Sequence, residues 1–304
     1  MITIARILCP TDFSDGSRHA LDHAMSIARW YRSQVTVLHV HRLTTPVYAV
    51  APVTMPVGAQ VLTLTAAETA HLLDALEEFV APERGQGTAV ETALEQDFDV
   101  ADAVLARAGT MRADLIVLGT HGRSGFQRFM LGSVAEKLLR RADCPVLTVP
   151  PRAGDVERPI SMRPRILCAV DFSKASARAL DYAASLARES DGALTALHVV
   201  DVPPESSDPS LPDISAYRTA RFEEARLALA GTVAALDEGW KAAPLVLAGK
   251  PSREILRVAA EQQDDLIVMG VLGRGALDRA FFGSTAEHVV RQASCPVLTL
   301  RAPD

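Results

Sequence analysis

The feature that most constrains this chain is an internal repeat. Ile7-Leu8-Cys9-Pro10-Thr11-Asp12-Phe13-Ser14 returns as Ile166-Leu167-Cys168-Ala169-Val170-Asp171-Phe172-Ser173, 159 residues later. The stretch from Gly119 to Val149 returns as Gly270 to Leu300, now at an offset of 151, with 15 of 31 residues identical. That identity marks a tandem duplication, and the fall in offset makes the second copy eight residues shorter between the blocks. Units this long, present only twice, are domains and not solenoid repeats. The expected organisation is a first domain over 1–150, a linker over 151–162, rich in Pro, Gly and charge, and a second domain over 163–304.

Within one copy, apolar runs alternate with helical periodicity. Arg6 to Pro10 is short and continuously apolar, as in a strand buried on both faces. Ser17 to Trp30 carries Ala20, Leu21, Ala24, Ile27 and Ala28 at helical spacing, with Ser14 or Asp15 placed to cap it. Strands are expected over Gln34–Val40, Ala89–Leu94, Asp114–Gly119 and Pro145–Val149, and helices over Thr65–Val80, Val100–Ala108 and Ser133–Arg141. This alternation predicts an α/β class: a doubly wound parallel sheet in each copy, with right-handed crossovers and helices on both faces. Ligands of such sheets bind beyond the carboxyl ends of the strands, where strand order reverses.

The loop after the fourth strand carries the chemistry. Gly119, Gly122, Gly132 and Ser133 form the pattern G-x2-G-x9-G-S, repeated as Gly270, Gly273, Gly283 and Ser284. Glycines allow close backbone approach to a phosphate and positive φ. Successive amides form an anion nest. The helix opening at Ser133 adds free amides, a dipole and a hydroxyl. The pattern is neither a Walker loop nor G-x-G-x-x-G. Asp12 and Asp171, closing the first strand of each copy, either accept from a ribose hydroxyl, help hold a metal ion, or cap the next helix. Arg123, Arg128, Arg274 and Arg279 pair with phosphates or are solvated surface charges. His39 and His198 read as structural. Nucleophile-elbow, H-E-x-x-H and kinase signatures are missing from the sequence, so the loops supply binding groups without an evident general base.

Composition removes other classes. Aromatics make up 5% and the net charge is −6, with no dense Lys/Arg block, which argues against nucleic-acid binding. Met1 to Arg6 does not lead into a signal-peptide pattern. Leu43 to Ala67 holds Pro46, Pro52, Pro56 and Gly58, and so reads as a loop and not a membrane span. Cys9, Cys144, Cys168 and Cys295 form no C-x-x-C pair and read as buried reduced thiols of a cytoplasmic protein.

The strand-one aspartate, the G-x2-G-x9-G-S loop and the Cys-Pro-Val-Leu-Thr ending together resemble the universal stress protein family, in both halves. The resemblance implies two tandem five-stranded sheets of order 3-2-1-4-5, with ATP bound in one or both domains; whether Mg²⁺ accompanies the ATP stays open. It implies that Pro10 and Asp12 meet the nucleoside, that the Val40 backbone meets adenine, and that Gly119, Gly122, Gly132 and Ser133 meet phosphates and ribose. In the second copy the matching positions are Ala169, Asp171, Val199, Gly270, Gly273, Gly283 and Ser284. The resemblance further implies a stress-response regulator with an unidentified protein partner, and pairing of the domains through their last strands within one chain. Pairing of whole chains into a homodimer stays open. A slow ATP hydrolase or adenylyl-transfer enzyme, and an interaction module with empty pockets, stand as alternatives. Copy one departs from the family's G-x-P turn with Asp97-Phe98-Asp99, two carboxylates near the anion site that weaken binding there if they face the phosphates without Mg²⁺; copy two has Val271-Leu272 for Thr120-His121 and loses two polar groups, so unequal affinities are expected.

Overall fold

Both repeats build the same run of elements in a computed structural model, which describes residues 2–44, 63–85, 87–120, 131–151, 160, 162–201, 215–236, 242–271 and 282–302. The first half runs β1 (Arg6–Thr11), α1 (Asp15–Tyr31), β2 (Gln34–Arg42), α2 (Ala66–Val80), β3 (Ala89–Asp97), α3 (Val100–Met111), β4 (Leu115–Gly119), α4 (Ser133–Arg141) and β5 (Val146–Val149). The second runs β6 (Arg165–Ala169), α5 (Lys174–Glu189), β7 (Ala193–Val200), α6 (Ser215–Ala234), β8 (Ala243–Ala248), α7 (Pro251–Glu261), β9 (Leu266–Gly270), α8 (Ser284–Gln292) and β10 (Val297–Leu300).

Local chemistry sets the helix starts. The Ser14 hydroxyl oxygen accepts from the Ser17 amide at 3.2 Å, and Ser173 does the same for Ser176 at 3.2 Å, so α1 and α5 begin identically. Thr65 and Glu68 close a reciprocal capping box on α2. β3 runs three residues beyond the expected Leu94, because its edge position pairs with β2 as far as Arg42↔Asp97.

The ten strands make one sheet, in the order β3-β2-β1-β4-β5-β10-β9-β6-β7-β8. Pairing is parallel within each half, and the halves meet antiparallel where Val297 faces Thr148, Leu298 faces Leu147 and Thr299 faces Val146. Two independent sheets would each leave an unpaired edge on a short, wholly buried strand. Here the two edges satisfy one another. Thr148 Oγ1 donates to the Val297 carbonyl at 3.2 Å, and Thr299 Oγ1 to the Val146 carbonyl at 3.1 Å.

Alternation along the strands sorts the core into two layers, one on each sheet face. Ile7, Cys9, Val35, Leu115 and Val117 pack with α1 and α2, and in the same cluster Ile166, Val268 and Leu298 pack with α5. Leu8, Leu38, Ile116 and Leu118 face the other way, toward α3 and α4, in a cluster that includes Ile255 of α7 and Val289 of α8. Each layer therefore runs through both halves. Across the seam Tyr31 and Ser185 share a hydroxyl hydrogen bond of 2.8 Å. Cys9, Cys168 and Cys295 are buried and Cys144 is half-buried, all as free thiols. Burial raises every one of these thiols, Cys9 and Cys295 to about 12 and Cys144 to about 11. Such groups are inert at neutral pH. Among the described residues no helix is long and apolar enough to cross a membrane.

Candidate functional site

β1 has β2 on one side and β4 on the other, so the connection leaving β1 runs to one side and the connection leaving β4 runs to the other, toward β5. That divergence opens a cleft of about 320 Å³ lined by Pro10, Thr11, Asp12, Val40, Gly119, Thr120, Gly132 and Ser133, with Ser17, Leu38, Val100, Leu118, Val134 and Ala135 completing the wall. Six of the seven first-half residues picked out from sequence thus meet in one place. The seventh, Gly122, lies outside the described residues, as do Gly273 and the four loop arginines.

The floor is built by β1. Thr11 Oγ1 and Ser17 Oγ lie 2.9 Å apart, and the Phe13 amide donates to Thr11 Oγ1 at 3.0 Å. Asp12 Oδ1 accepts from the Ser14 amide at 3.1 Å and from its hydroxyl at 2.5 Å. Asp12 therefore shapes the turn into α1, whose cap is Ser14, and lines the cleft. Asp171 repeats the arrangement, with Ser173 donating at 3.0 and 2.5 Å.

The back wall is the return of the glycine loop. The Gly132 amide donates to the Thr120 carbonyl at 2.8 Å, and the Gly283 amide to the Val271 carbonyl at 2.9 Å. A Cβ on Gly132 would sit 3.1 Å from that carbonyl oxygen, and one on Gly283 only 2.9 Å from its own. Both residues have negative φ, −62° and −55°. The expectation of positive φ therefore fails at these two positions, where glycine is required by close approach.

These glycines are also the N-caps of α4 and α8, and neither helix start carries a side-chain cap. By contrast α1, α2, α3 and α5 are capped by Ser14, Thr65, Asp99 and Ser173, while α7 opens at Pro251 with no side-chain cap. The α4 start at Ser133 faces the cleft with first-turn amides that an anion can fill.

Asp97 and Asp99 do not load this site with loose charge. Asp97 Oδ1 accepts from the Asp99 amide at 3.0 Å. Asp99 caps α3 through the Ala101 and Asp102 amides at 2.9 and 3.2 Å and pairs with Lys137 of α4. Lys137 and those amides hold Asp99 below the usual carboxylate range. Gln96 is spent on the Leu64 amide at 2.9 Å. The cleft wall begins at Val100. The expected pair of carboxylates facing the anion site is thus corrected: backbone amides and a lysine satisfy both.

In the second half Ala169 ends β6, Asp171 follows two residues later, Val199 lies near the carboxyl end of β7, Gly270 ends β9, and Gly283 and Ser284 open α8. Val170 and Val271 stand where the first half has Thr11 and Thr120. Thr11, Ser17 and Thr120 carry no motif. Their one sequence signal is that two of the three change to valine between the copies.

The universal stress protein family model matches residues 3–150 and 162–301. A universal stress protein of Mycolicibacterium smegmatis is 29% identical over 306 residues, covering 97% of this chain and 96% of that one. One from Mycobacterium tuberculosis H37Rv is 32% identical over 192 residues, 62% of each chain, so the match spans about three-fifths of that relative's length. In three dimensions the crystal structure of a universal stress protein from Archaeoglobus fulgidus superposes with a TM-score of 0.68, at 24% identity, over 99% of this chain and all of that one. That likeness is one of fold.

Proposed function

The chain belongs to the universal stress protein family, and from that premise we propose that it binds ATP at the carboxyl ends of β1 and β4, and at the matching place in the second half. In this reading ATP occupancy shifts the population of a surface that a protein partner reads. The observation that carries it is the meeting, in one 320 Å³ cleft, of an uncapped helix start, a close-approach glycine and the Asp12 carboxylate.

Each part of the nucleotide has a matching group. The α4 amides at Gly132 and Ser133 and the Ser133 hydroxyl suit phosphate oxygens. Asp12, whose Oδ1 is held by Ser14, suits a ribose hydroxyl or a phosphate-bound Mg²⁺. The apolar wall of Leu38, Val40, Val100 and Leu118 suits a flat base. The second half supports the same reading through Ala169, Asp171, Val199, Gly270, Gly273, Gly283 and Ser284. The site binds and orients; when Mg²⁺ accompanies the triphosphate it neutralises charge that the cleft's own amides leave over.

The test is direct. Protein purified without added nucleotide is denatured, and the released small molecules are identified by chromatography and mass. ATP at one or two equivalents per chain supports the reading. ADP alone turns it toward the slow hydrolase. No nucleotide, followed by no ATP binding in the presence of Mg²⁺, overturns it in favour of an interaction module.

A further inference from the structure

Resting on the reading above, we infer that His39 and His198 are positioning residues that hold the Asp12 and Asp171 turns in their cleft-lining form. Sequence alone gives these histidines a structural reading and no partner. The geometry gives each two, one on either side of the aspartate in sequence.

His39 Nδ1–H donates to the Thr11 carbonyl at 2.9 Å, and His198 Nδ1–H to the Val170 carbonyl at 2.7 Å. These carbonyls belong to the residues just before the aspartates. The residues just after, Phe13 and Phe172, have φ of 63° and 61°. That is the left-handed region, where a bulky side chain is an outlier and persists only if its surroundings enforce it. What meets the rings is the same pair of histidines. Phe13 lies over His39 with centroids 4.5 Å apart at 35°, and Phe172 over His198 at 4.5 Å and 38°.

Each imidazole therefore grips both ends of a three-residue turn. One contact fixes where β1 or β6 ends. The other presses on the ring whose backbone is strained. Asp12, between the two contacts, lines the first-half cleft, and in both halves the aspartate's Oδ1 is tied to the cap serine. Repetition strengthens the case. The device recurs almost unchanged although the neighbouring supports differ. In the first half the Phe13 amide bonds to Thr11 Oγ1, and Phe79 packs edge-on to Phe13 at 5.8 Å. In the second half Val170 has no hydroxyl, and the Asp171 amide bonds to Ser176 Oγ at 3.2 Å. The histidine, the aromatic and the left-handed φ recur in both halves, together with the tie from the aspartate to the cap serine.

A positioning role makes a prediction that ligand contact does not: relieving the strain restores function without the histidine. The experiment compares three full-length variants with the parent. The first is His39→Leu with His198→Leu. The second is His39→Asn with His198→Asn, whose amide N–H stands near the lost Nδ1–H. The third adds Phe13→Gly and Phe172→Gly to the leucine pair, since glycine takes φ near 60° freely. ATP affinity is read by calorimetry. Amide exchange at residues 13, 14, 172 and 173 is read without nucleotide. The leucine pair is expected to lose about tenfold in affinity and to exchange faster at these amides. The asparagine pair is expected to keep most of both, and the glycines to restore affinity at least in part. Unchanged exchange and affinity in the leucine pair overturns the inference, as does an affinity loss that neither asparagine nor glycine repairs. If the parent binds no ATP, the functional reading fails by itself, and the exchange rates still decide whether the histidines hold the turn. If the leucine pair does not fold, the asparagine pair against a His39→Gln, His198→Gln pair supplies the same contrast.

Discussion

The two halves share a backbone plan but furnish it differently. In the first, Thr11, Ser17 and Thr120 give the cleft a hydroxyl-bearing floor. In the second, Val170 and Val271 replace two of the three. At the opposite ends of the strands the contrast reverses. There the first half has Ala113 beside a groove of about 570 Å³ that reaches Arg112 and Cys144. The second has Asp264, 7% exposed, with an Oδ2 that meets no hydrogen-bond partner. Burial raises Asp264 to about 6, with Asp265 adding to the rise and Arg165 opposing it. Duplication thus kept what the turn and the uncapped helix require and let the surroundings drift. The lesson is to read function from what both halves keep, and differences in strength from what they do not.

The comparison breaks most sharply at the glycines. Gly132→Val places a side chain against the Thr120 carbonyl, and Gly283→Val against that of Val271. Each should lower ATP affinity of its own half by about 100-fold, or about 2.7 kcal/mol, and leave the other half alone. Titration stoichiometry falling from two to one in each single variant is the expected reading. Loss of both sites from one substitution would show that the halves are not independent.

Asp264 gives the next largest effect. Its folded pKa lies above the ordinary 3.8, so the fold binds the proton more tightly than the unfolded chain does. Stability should therefore fall as pH rises from about 4 to about 6, and stay reduced above that. Asp264→Ala, which copies the first half, should gain about 2 kcal/mol at pH 7 and nothing at about pH 3.5. In a thermal melt that is about 4 °C at pH 7. Ala113→Asp should cost less than Asp264→Ala gains, because the groove admits water there.

Smaller effects sharpen the rim. Asp99→Asn keeps a good helix cap but removes a charge near the α4 start. It should raise first-half ATP affinity about threefold at low salt, with the gain fading at high salt. Ser14→Ala and Ser173→Ala should each cost about 1 kcal/mol of stability, alike in the two halves because the caps are alike.

Much of this was legible in the chain. Apolar runs at strand length and the 3.6-residue spacing of α1 gave class and elements, since burial on both sheet faces leaves that trace in any sequence. The glycine pattern gave the cleft's back wall. Less legible was whatever depends on residues far apart in sequence. Pairing of the last strands within one chain was legible only through the family resemblance, and no local pattern gives the antiparallel register that sets Thr299 against Val146 in one ten-stranded sheet. Asp97 and Asp99 read as charges facing an anion, because their partners, a backbone amide and Lys137 of α4, lie beyond a local reading. His39 read as structural with no partner named, since its contacts with Thr11 and Phe13 reach across 28 and 26 residues and one of them depends on a φ that no sequence displays.

The proposed function places one ATP site in each half, on a shared plan and with different strengths. The most direct measurement is a calorimetric titration of nucleotide-free protein with ATP and Mg²⁺. The expected result is two equivalents in two steps, the tighter by about tenfold belonging to the first half, whose floor adds hydroxyls, and disappearing in Gly132→Val. Absence of binding, or binding untouched in a chain carrying both Gly132→Val and Gly283→Val, would contradict it.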